Sequence, residues 1–143
     1  ALDVTIQAQI FELMLNLKKE HQTAIILITH DMGVIAELAD EVAVMYMGSI
    51  VEKGSVSEVL RKPAHPYTKA LLESIPILGK GKKQKIEPIR GSTPDPYQRP
   101  EGCQFLPRCN YSSEKCVENP SYHHITKTQF VRCWKSEEVL SYV

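Results

Sequence analysis

The first part of the chain alternates between patterns typical of helices and of strands. In residues 4–20 apolar side chains recur at intervals of three and four, which is the stripe of an amphipathic helix: Ile6, Ile10, Leu13, Met14 and Leu17. The run TAIILIT at residues 23–29 is apolar at nearly every position, which predicts a strand covered on both faces in a parallel sheet. A helix followed by such a strand indicates an α/β fold.

Shorter elements are predicted downstream. Asp31, in HDMGVIAELAD, is placed to cap a short helix. EVAVMYMGSIVEKG predicts two strands that turn at Gly48 and Ser49. Two further short helices are expected at residues 55–61 and 66–75, separated by prolines.

The second half changes character near Ile77. Gly, Pro, Lys and Ser dominate up to about Gly102 without helical or strand periodicity, which predicts a linker or extended loop. The local basic run from Lys80 to Lys85 is typical of such a solvated linker. The tail beyond it has few aliphatic residues, so we expect it to need a cross-link or a metal in order to fold.

Composition restricts the possible partners and the compartment. Lys plus Arg equals Asp plus Glu at 17 each, so the chain as a whole is not built to bind nucleic acid. No apolar stretch approaches the roughly 20 residues that span a bilayer, and no signal peptide opens the sequence. These features favour the cytosol, where thiols stay reduced and disulfides are rare.

Four cysteines lie in the last third, Cys103, Cys109, Cys116 and Cys133, with the spacing C-x5-C-x6-C-x16-C. Their concentration in a Pro-rich segment without a core argues against chance burial and indicates a metal site. Zinc sites usually contain a C-x2-4-C pair, which is absent here. Wider loops suit an iron-sulfur cluster, although the usual ferredoxin spacing is also absent. Spacing alone leaves zinc and cluster open.

Several segments carry a family resemblance. ALDVTIQAQI, ILITHDMGVIAELADEVAVMYMGSIVEKG, HPYTKALLESIP and the four-Cys tail follow one another in this order. Together they resemble the C-terminal half of the ATP-binding subunit of an oligopeptide or dipeptide (peptide/nickel) ABC importer. The resemblance implies an α/β, P-loop NTPase-like ATPase core at residues 1–76, a linker at 77–99 and a small irregular Cys-rich metal-binding extension at 100–143.

The resemblance also assigns roles to individual residues. Asp3 would belong to the D-loop at the interface of two ATPase domains, and it could also cap the first helix. His30 would be the catalytic switch histidine, which donates a hydrogen bond to a γ-phosphate oxygen and orients the attacking water. The four cysteines would hold a 4Fe-4S cluster of structural role, with zinc as the alternative. Gly102 could permit a tight approach beside the first of these ligands.

Histidines near these motifs have alternative interpretations. His65, followed by Pro66 and Tyr67, is interpreted as structural, since a proline at a helix start is a structural pattern. His123 and His124 could complete a Cys3His zinc site, but we expect them to be exposed or structural.

No G-x-x-x-x-G-K-[ST] loop and no LSGGQ-type segment occur in the sequence. The resemblance therefore implies a transport ATPase that uses ATP and Mg only at full length, and we expect the chain alone not to hydrolyse ATP. The implied partners are a second ATPase subunit, two membrane permease subunits and an extracytoplasmic peptide-binding protein, at the cytoplasmic face of the membrane. No nucleic acid is expected, and the isolated chain is expected to form a homo-oligomer. The cargo, whether dipeptide, oligopeptide or nickel, stays open.

A function of another class is also compatible with the sequence. The chain could be a free-standing cluster- or zinc-binding interaction or dimerisation module without ATP chemistry.

Overall fold

The structure, a computed structural model, describes residues 4–75 and 88–141. It divides into two units, an N-terminal unit that ends at Asp40 and a C-terminal unit that begins at Glu41. The domain ranges expected from the sequence stay a prediction, because part of the expected linker, residues 77–87, lies outside the described residues. The rest of that segment, residues 88–99, contains no helix or strand.

The N-terminal unit contains two helices, as the sequence predicts. Helix α1 (Val4–His21) follows the apolar spacing. Helix α2 (Met32–Leu38) begins after Asp31, whose carboxylate accepts hydrogen bonds from the backbone N–H groups of Gly33 at 2.8 Å and Val34 at 3.3 Å. The Asp31 cap is thus confirmed, because its side chain satisfies donors that a helix start leaves unpaired.

The buried parallel strand predicted at residues 23–29 is wrong. These residues form no helix or strand, and Ile26 and Ile28 are 90% and 94% exposed. A strand exists only where a neighbouring strand takes up its backbone hydrogen bonds. None of the described residues pairs with this run, so its apolar composition alone does not create a strand.

The C-terminal unit contains a sheet in which all strand pairs are antiparallel. Its four strands run in the order β1-β2-β4-β3 and comprise β1 (Glu41–Tyr46), β2 (Ser49–Ser55), β3 (His123–His124) and β4 (Phe130–Val131). The predicted hairpin of β1 and β2 is confirmed. Its turn lies at Met47 and Gly48, one residue earlier than predicted, and both have positive φ, 48° and 78°. Such angles match the twist of a two-residue hairpin turn.

Short helices follow the hairpin and the later strands along the chain. The two predicted after the hairpin are confirmed as α3 (Val56–Arg61) and α4 (Pro66–Glu73). The tail adds two 3₁₀ helices, Leu106–Arg108 and Glu114–Val117, and α5 (Ser136–Ser141). Fully buried apolar residues come from both halves of this unit: Val59, Ala64, Val131 and Val139. The core of the unit therefore depends on the tail as well as on the hairpin.

Candidate functional site

All four cysteines line one small cavity that opens to solvent. Cys116 and Cys133 are buried, whereas Cys103 and Cys109 are half-buried. The rest of the wall includes Phe105, Leu106 and Trp134. The structure thus brings together the residues that the sequence singled out by their spacing.

Short elements of the tail hold the cysteines at the cavity. Cys109 directly follows the 3₁₀ helix Leu106–Arg108, and Cys116 lies within the second 3₁₀ helix. Cys133 lies between β4 and α5. The backbone N–H of Cys103 donates to the carbonyl of Cys116 at 2.9 Å, so two segments of the cavity wall are joined directly.

Gly102 permits that close approach. Its φ of +75° is rare for other residues, and a Cβ built on it would lie 2.3 Å from the carbonyl oxygen of Val117 and 2.6 Å from that of Cys116. No side chain fits in that space. The tight approach expected at Gly102 is confirmed, and it fixes the position of Cys103 relative to Cys116.

Backbone amides point at two of the sulfurs. The N–H of Tyr111 lies 3.3 Å from Sγ of Cys109, and the N–H of Lys135 lies 3.3 Å from Sγ of Cys133. Each donor is two residues beyond its cysteine. Such donors favour the negative thiolate form that binds metals.

Burial opposes the thiolate in the metal-free chain. Desolvation raises the pKa of Cys109 to about 11 and that of Cys133 to about 12, and neighbouring cysteines add to both shifts. Desolvation also raises the pKa of Cys103. These thiols are therefore protonated at neutral pH, and a metal would have to displace their protons in order to bind.

A site for a single ion is not formed. Within residues 4–75 and 88–141, no group of three or more His, Cys, Asp or Glu side chains is arranged so that it could hold a metal ion. Zinc requires sulfurs about 2.3 Å from one point. The cysteines share a cavity but do not converge in this way, so the predicted metal centre stays a prediction.

A buried carboxylate lies on β2 within the same unit. Glu52 has no exposed surface, and its two oxygens accept hydrogen bonds from the backbone N–H of Ala64 at 2.8 Å, the backbone N–H of His65 at 3.0 Å and Nε2 of Gln129 at 2.8 Å. Burial raises the pKa of Glu52, and these donors oppose the shift. The hydroxyl of buried Thr68 acts in the same direction as the donors, although it lies outside hydrogen-bond geometry. Glu52 thereby joins the hairpin, the start of α4 and the tail.

His65 connects this network to the cavity. Its imidazole caps α4 by accepting the N–H of Tyr67 at Nδ1, at 3.1 Å, and the residue also lines the cavity. Burial lowers the pKa of His65 to about 3, so the ring is neutral at physiological pH. The structural interpretation of His65 is confirmed.

Two further histidines of the C-terminal unit, His123 and His124, do not line the cavity. In β3, Nε2 of His123 is 2.8 Å from Oγ of Ser136, and exposed His124 packs against Phe130 with ring centres 4.2 Å apart. Neither lines the cavity, in agreement with the structural interpretation. His30 is exposed just before α2, and Asp3 lies outside the described residues.

Sequence reasoning missed Glu52, Gln129 and Arg108. The Arg108 guanidinium donates to the carbonyls of Arg90 at 2.8 Å and Gly91 at 3.2 Å, and to the hydroxyls of Thr93 at 3.2 Å and Tyr46 at 3.4 Å. Arg108, the residue before Cys109, therefore binds residues 90–93 of the expected linker. In the sequence, Glu52 is marked only by its position after Val51 in a predicted strand.

One family model matches the chain. Residues 51–116 match the family described as the oligopeptide/dipeptide transporter, C-terminal region. The match begins in β2 and ends at Cys116, so it contains His65, Pro66 and three of the cysteines.

Curated proteins resemble nearly the whole chain. The dipeptide transport ATP-binding protein DppD of Haemophilus influenzae is 48% identical over 93% of the chain, and the oligopeptide transport ATP-binding protein AppD of Bacillus subtilis is 48% identical over 96%. The oligopeptide transport ATP-binding protein OppD of Haemophilus influenzae is 43% identical over 96%. The aligned parts make up 40% to 42% of these relatives, so the chain spans about two fifths of their length. In the part of the chain that the structure describes, no helix combines the length and apolarity needed to cross a membrane.

Proposed function

We propose that this chain is the C-terminal part of the ATP-binding subunit of a peptide importer, because residues 51–116 match the model of the oligopeptide/dipeptide transporter C-terminal region. The observation that carries the proposal is the 43% to 48% identity with peptide-transport ATP-binding proteins over nearly the whole chain. In the complete protein, ATP hydrolysis with Mg would drive peptide uptake. Similarity over both units favours this function over a free-standing metal-binding module.

The proposal gives each region a task. Residues 1–76 complete an ATPase domain, residues 77–99 link it to the tail, and residues 100–143 form the extension. Asp3 contributes to the interface with a second ATPase subunit, and His30 orients the water that attacks the γ-phosphate. The assembly includes two permease subunits and an extracytoplasmic peptide-binding protein, and this subunit lies at the cytoplasmic face of the membrane.

A chimera tests the transport function. The C-terminal part of the Haemophilus influenzae DppD that aligns with this chain would be replaced by the chain itself, and dipeptide uptake and ATP hydrolysis would be measured. We expect both activities to be retained. His30→Ala should abolish hydrolysis while ATP binding persists, whereas the control His21→Ala, at the exposed end of α1, should preserve both. A folded chimera that binds ATP but hydrolyses it equally well with and without His30 would contradict the proposed role.

We further propose that Cys103, Cys109, Cys116 and Cys133 hold a 4Fe-4S cluster, with one zinc ion as the alternative. The shared cavity and the two amides directed at sulfurs support a thiolate-ligated group. When bound, such a group would supply a cross-link between the loop that carries the first three cysteines and Cys133, which lies between β4 and α5.

Metal analysis tests this assignment. Anaerobically prepared chain should contain iron and acid-labile sulfide at about four each, the content of such a cluster. Cys109→Ser should reduce the iron content, whereas Tyr97→Phe, at a side chain that is 95% exposed, should not. Stoichiometric zinc without iron would contradict the cluster assignment and support the zinc site. Four free thiols in a folded tail would exclude both.

A further inference from the structure

Cys116 differs from Cys109 and Cys133 in its hydrogen bonding. Sγ of Cys109 and Sγ of Cys133 each accept a hydrogen bond from the backbone N–H two residues downstream. The corresponding N–H for Cys116 belongs to Glu118, and it donates to the carbonyl of Lys115 instead. Cys116 therefore lacks the backbone donor that Cys109 and Cys133 have.

At Cys116 a side-chain hydroxyl takes the place of the missing backbone donor. Oγ of Ser113 lies 3.6 Å from Sγ of Cys116, a hydrogen-bond distance for the large sulfur atom. Ser113 is also the N-cap of the 3₁₀ helix Glu114–Val117, a position where serine usually accepts a backbone N–H, yet its side chain makes no capping bond. The hydroxyl of half-buried Ser113 thus contacts the sulfur and does not cap the helix.

We propose that Ser113 is a positioning residue that donates a hydrogen bond to Cys116 when the four cysteines bind their metal group. This inference rests on the proposed metal site. In the free chain either the thiol or the hydroxyl can donate. Once Cys116 is a thiolate ligand it carries no proton, so the hydroxyl must donate and the sulfur must accept.

The bond has two consequences for a bound cluster. Hydrogen bonds to ligand sulfurs help to set the reduction potential, because they stabilise the more negative, reduced state. They also hold the sulfur in place against exchange with solvent. Since the donors to Cys109 and Cys133 are backbone groups, Ser113 is the donor that a side-chain substitution removes directly.

The test compares Ser113→Ala with Ser113→Thr, which keeps a hydroxyl, and with Ser112→Ala at the exposed neighbouring residue. Each full chain would be reconstituted anaerobically with iron and sulfide. The measurements are iron content, reduction potential and the rate of iron transfer to a chelator. Metal-free samples would be compared by thermal unfolding.

For Ser113→Ala we expect the iron content of the wild type, a lower reduction potential and iron release about two- to tenfold faster, the factor expected for one ordinary hydrogen bond. Ser113→Thr and Ser112→Ala should resemble the wild type. The metal-free unfolding temperature should not change, because the hydroxyl makes no capping bond.

Each other outcome overturns a distinct claim. Wild-type potential and release rate in Ser113→Ala would refute the role of Ser113 and leave the cluster intact. An equal loss of stability in the metal-free chain would show that Ser113 acts on folding alone, which also refutes it. If the wild type takes up zinc and no iron, the cluster assignment fails, and zinc release from Ser113→Ala at the wild-type rate would refute the role of Ser113. If the wild type binds neither, both proposals fail.

Discussion

At the scale of single residues, position 102 requires glycine for two reasons: its φ is positive, and a Cβ would clash with neighbouring backbone atoms. We predict that Gly102→Ala destabilises the C-terminal unit by more than the 1–2 kcal/mol or so that a left-handed backbone alone costs. The added Cβ would lie 2.3 Å from a backbone oxygen, which cannot yield as a flexible side chain could. Urea denaturation of the metal-free chain measures the effect.

Gly91 provides a matched control. It also has a positive φ, +64°, but nothing lies within 4 Å of a Cβ built there. Gly91→Ala should therefore show only the conformational penalty. Equal destabilisation by the two substitutions would contradict the steric role assigned to Gly102.

The Glu52 carboxylate is matched to donors on both of its oxygens. In Glu52→Gln one oxygen becomes an NH₂ group, which must face a backbone or side-chain N–H in a buried site. We predict a loss of about 1–3 kcal/mol in the free energy of unfolding, the usual penalty for an unsatisfied buried polar group. Glu41→Gln, at an exposed residue of β1, should change it by less than about 1 kcal/mol, as expected for a surface ion pair. Similar values for the two variants would argue against the network.

At the scale of elements, the start of α3 depends on an ionised carboxylate. Ser55 caps this helix, and the Glu58 carboxylate accepts hydrogen bonds from the hydroxyls of Ser55, Thr126 and Thr128 at 2.5 to 2.6 Å. These bonds, that from Ser55 foremost, lower the pKa of Glu58 from 4.5 to about 2. The folded state therefore binds this proton less readily than the unfolded state does.

The sign of the pH effect follows from that difference. The contribution of Glu58 to stability is fully present above pH 4.5 and is lost as the pH falls toward 2. We predict that the stability difference between the wild type and Glu58→Gln is constant from neutral pH down to the ordinary carboxyl range and shrinks below it. Urea denaturation at several pH values measures this difference. Glu73→Gln, at the exposed end of α4, should show no such narrowing, and a constant difference for Glu58→Gln would contradict the prediction.

Local elements were predictable from the sequence, and long-range pairing was not. Helices α1 to α4 and the β1–β2 hairpin follow from spacing, caps and turn residues within each segment, whereas α5 and the two 3₁₀ helices of the tail were not predicted. The two-residue strand Phe130–Val131 has no periodicity to detect, and its pairing with β2 depends on the whole unit. The strand predicted at residues 23–29 is wrong for the opposite reason. The composition of this run is typical of a strand, but no described strand pairs with it.

The candidate site divides in the same way. The cysteines could be singled out by residue type and concentration, and the structure places them around one cavity. The Glu52 network could not be predicted, since a glutamate in a strand is ordinarily solvent-exposed and its donors are backbone groups at residues 64 and 65. Every residue except proline has a backbone N–H, so residue types do not reveal which of these groups bind Glu52.

At the scale of the whole molecule, the two units should differ in resistance to proteolysis. Ile26 and Ile28 are almost fully exposed in a segment without helix or strand, whereas the C-terminal unit has a paired sheet and a buried network. Thermolysin, which cuts before large apolar residues, should therefore cleave among residues 25–28 before it cleaves within residues 41–75. Mass spectrometry of early time points identifies the cuts. First cuts within β1 or β2 would contradict this order.

The contact between Glu52 and Gln129 also governs how the unit forms during synthesis. The two residues are 77 positions apart in the chain. At a translation rate of about 5–20 residues per second, Gln129 is made about 4–15 s after Glu52. Throughout that interval the nascent hairpin has an open edge on β2 and a carboxylate without its side-chain donor. The C-terminal unit can therefore complete its sheet only late, when nearly the whole tail has been translated.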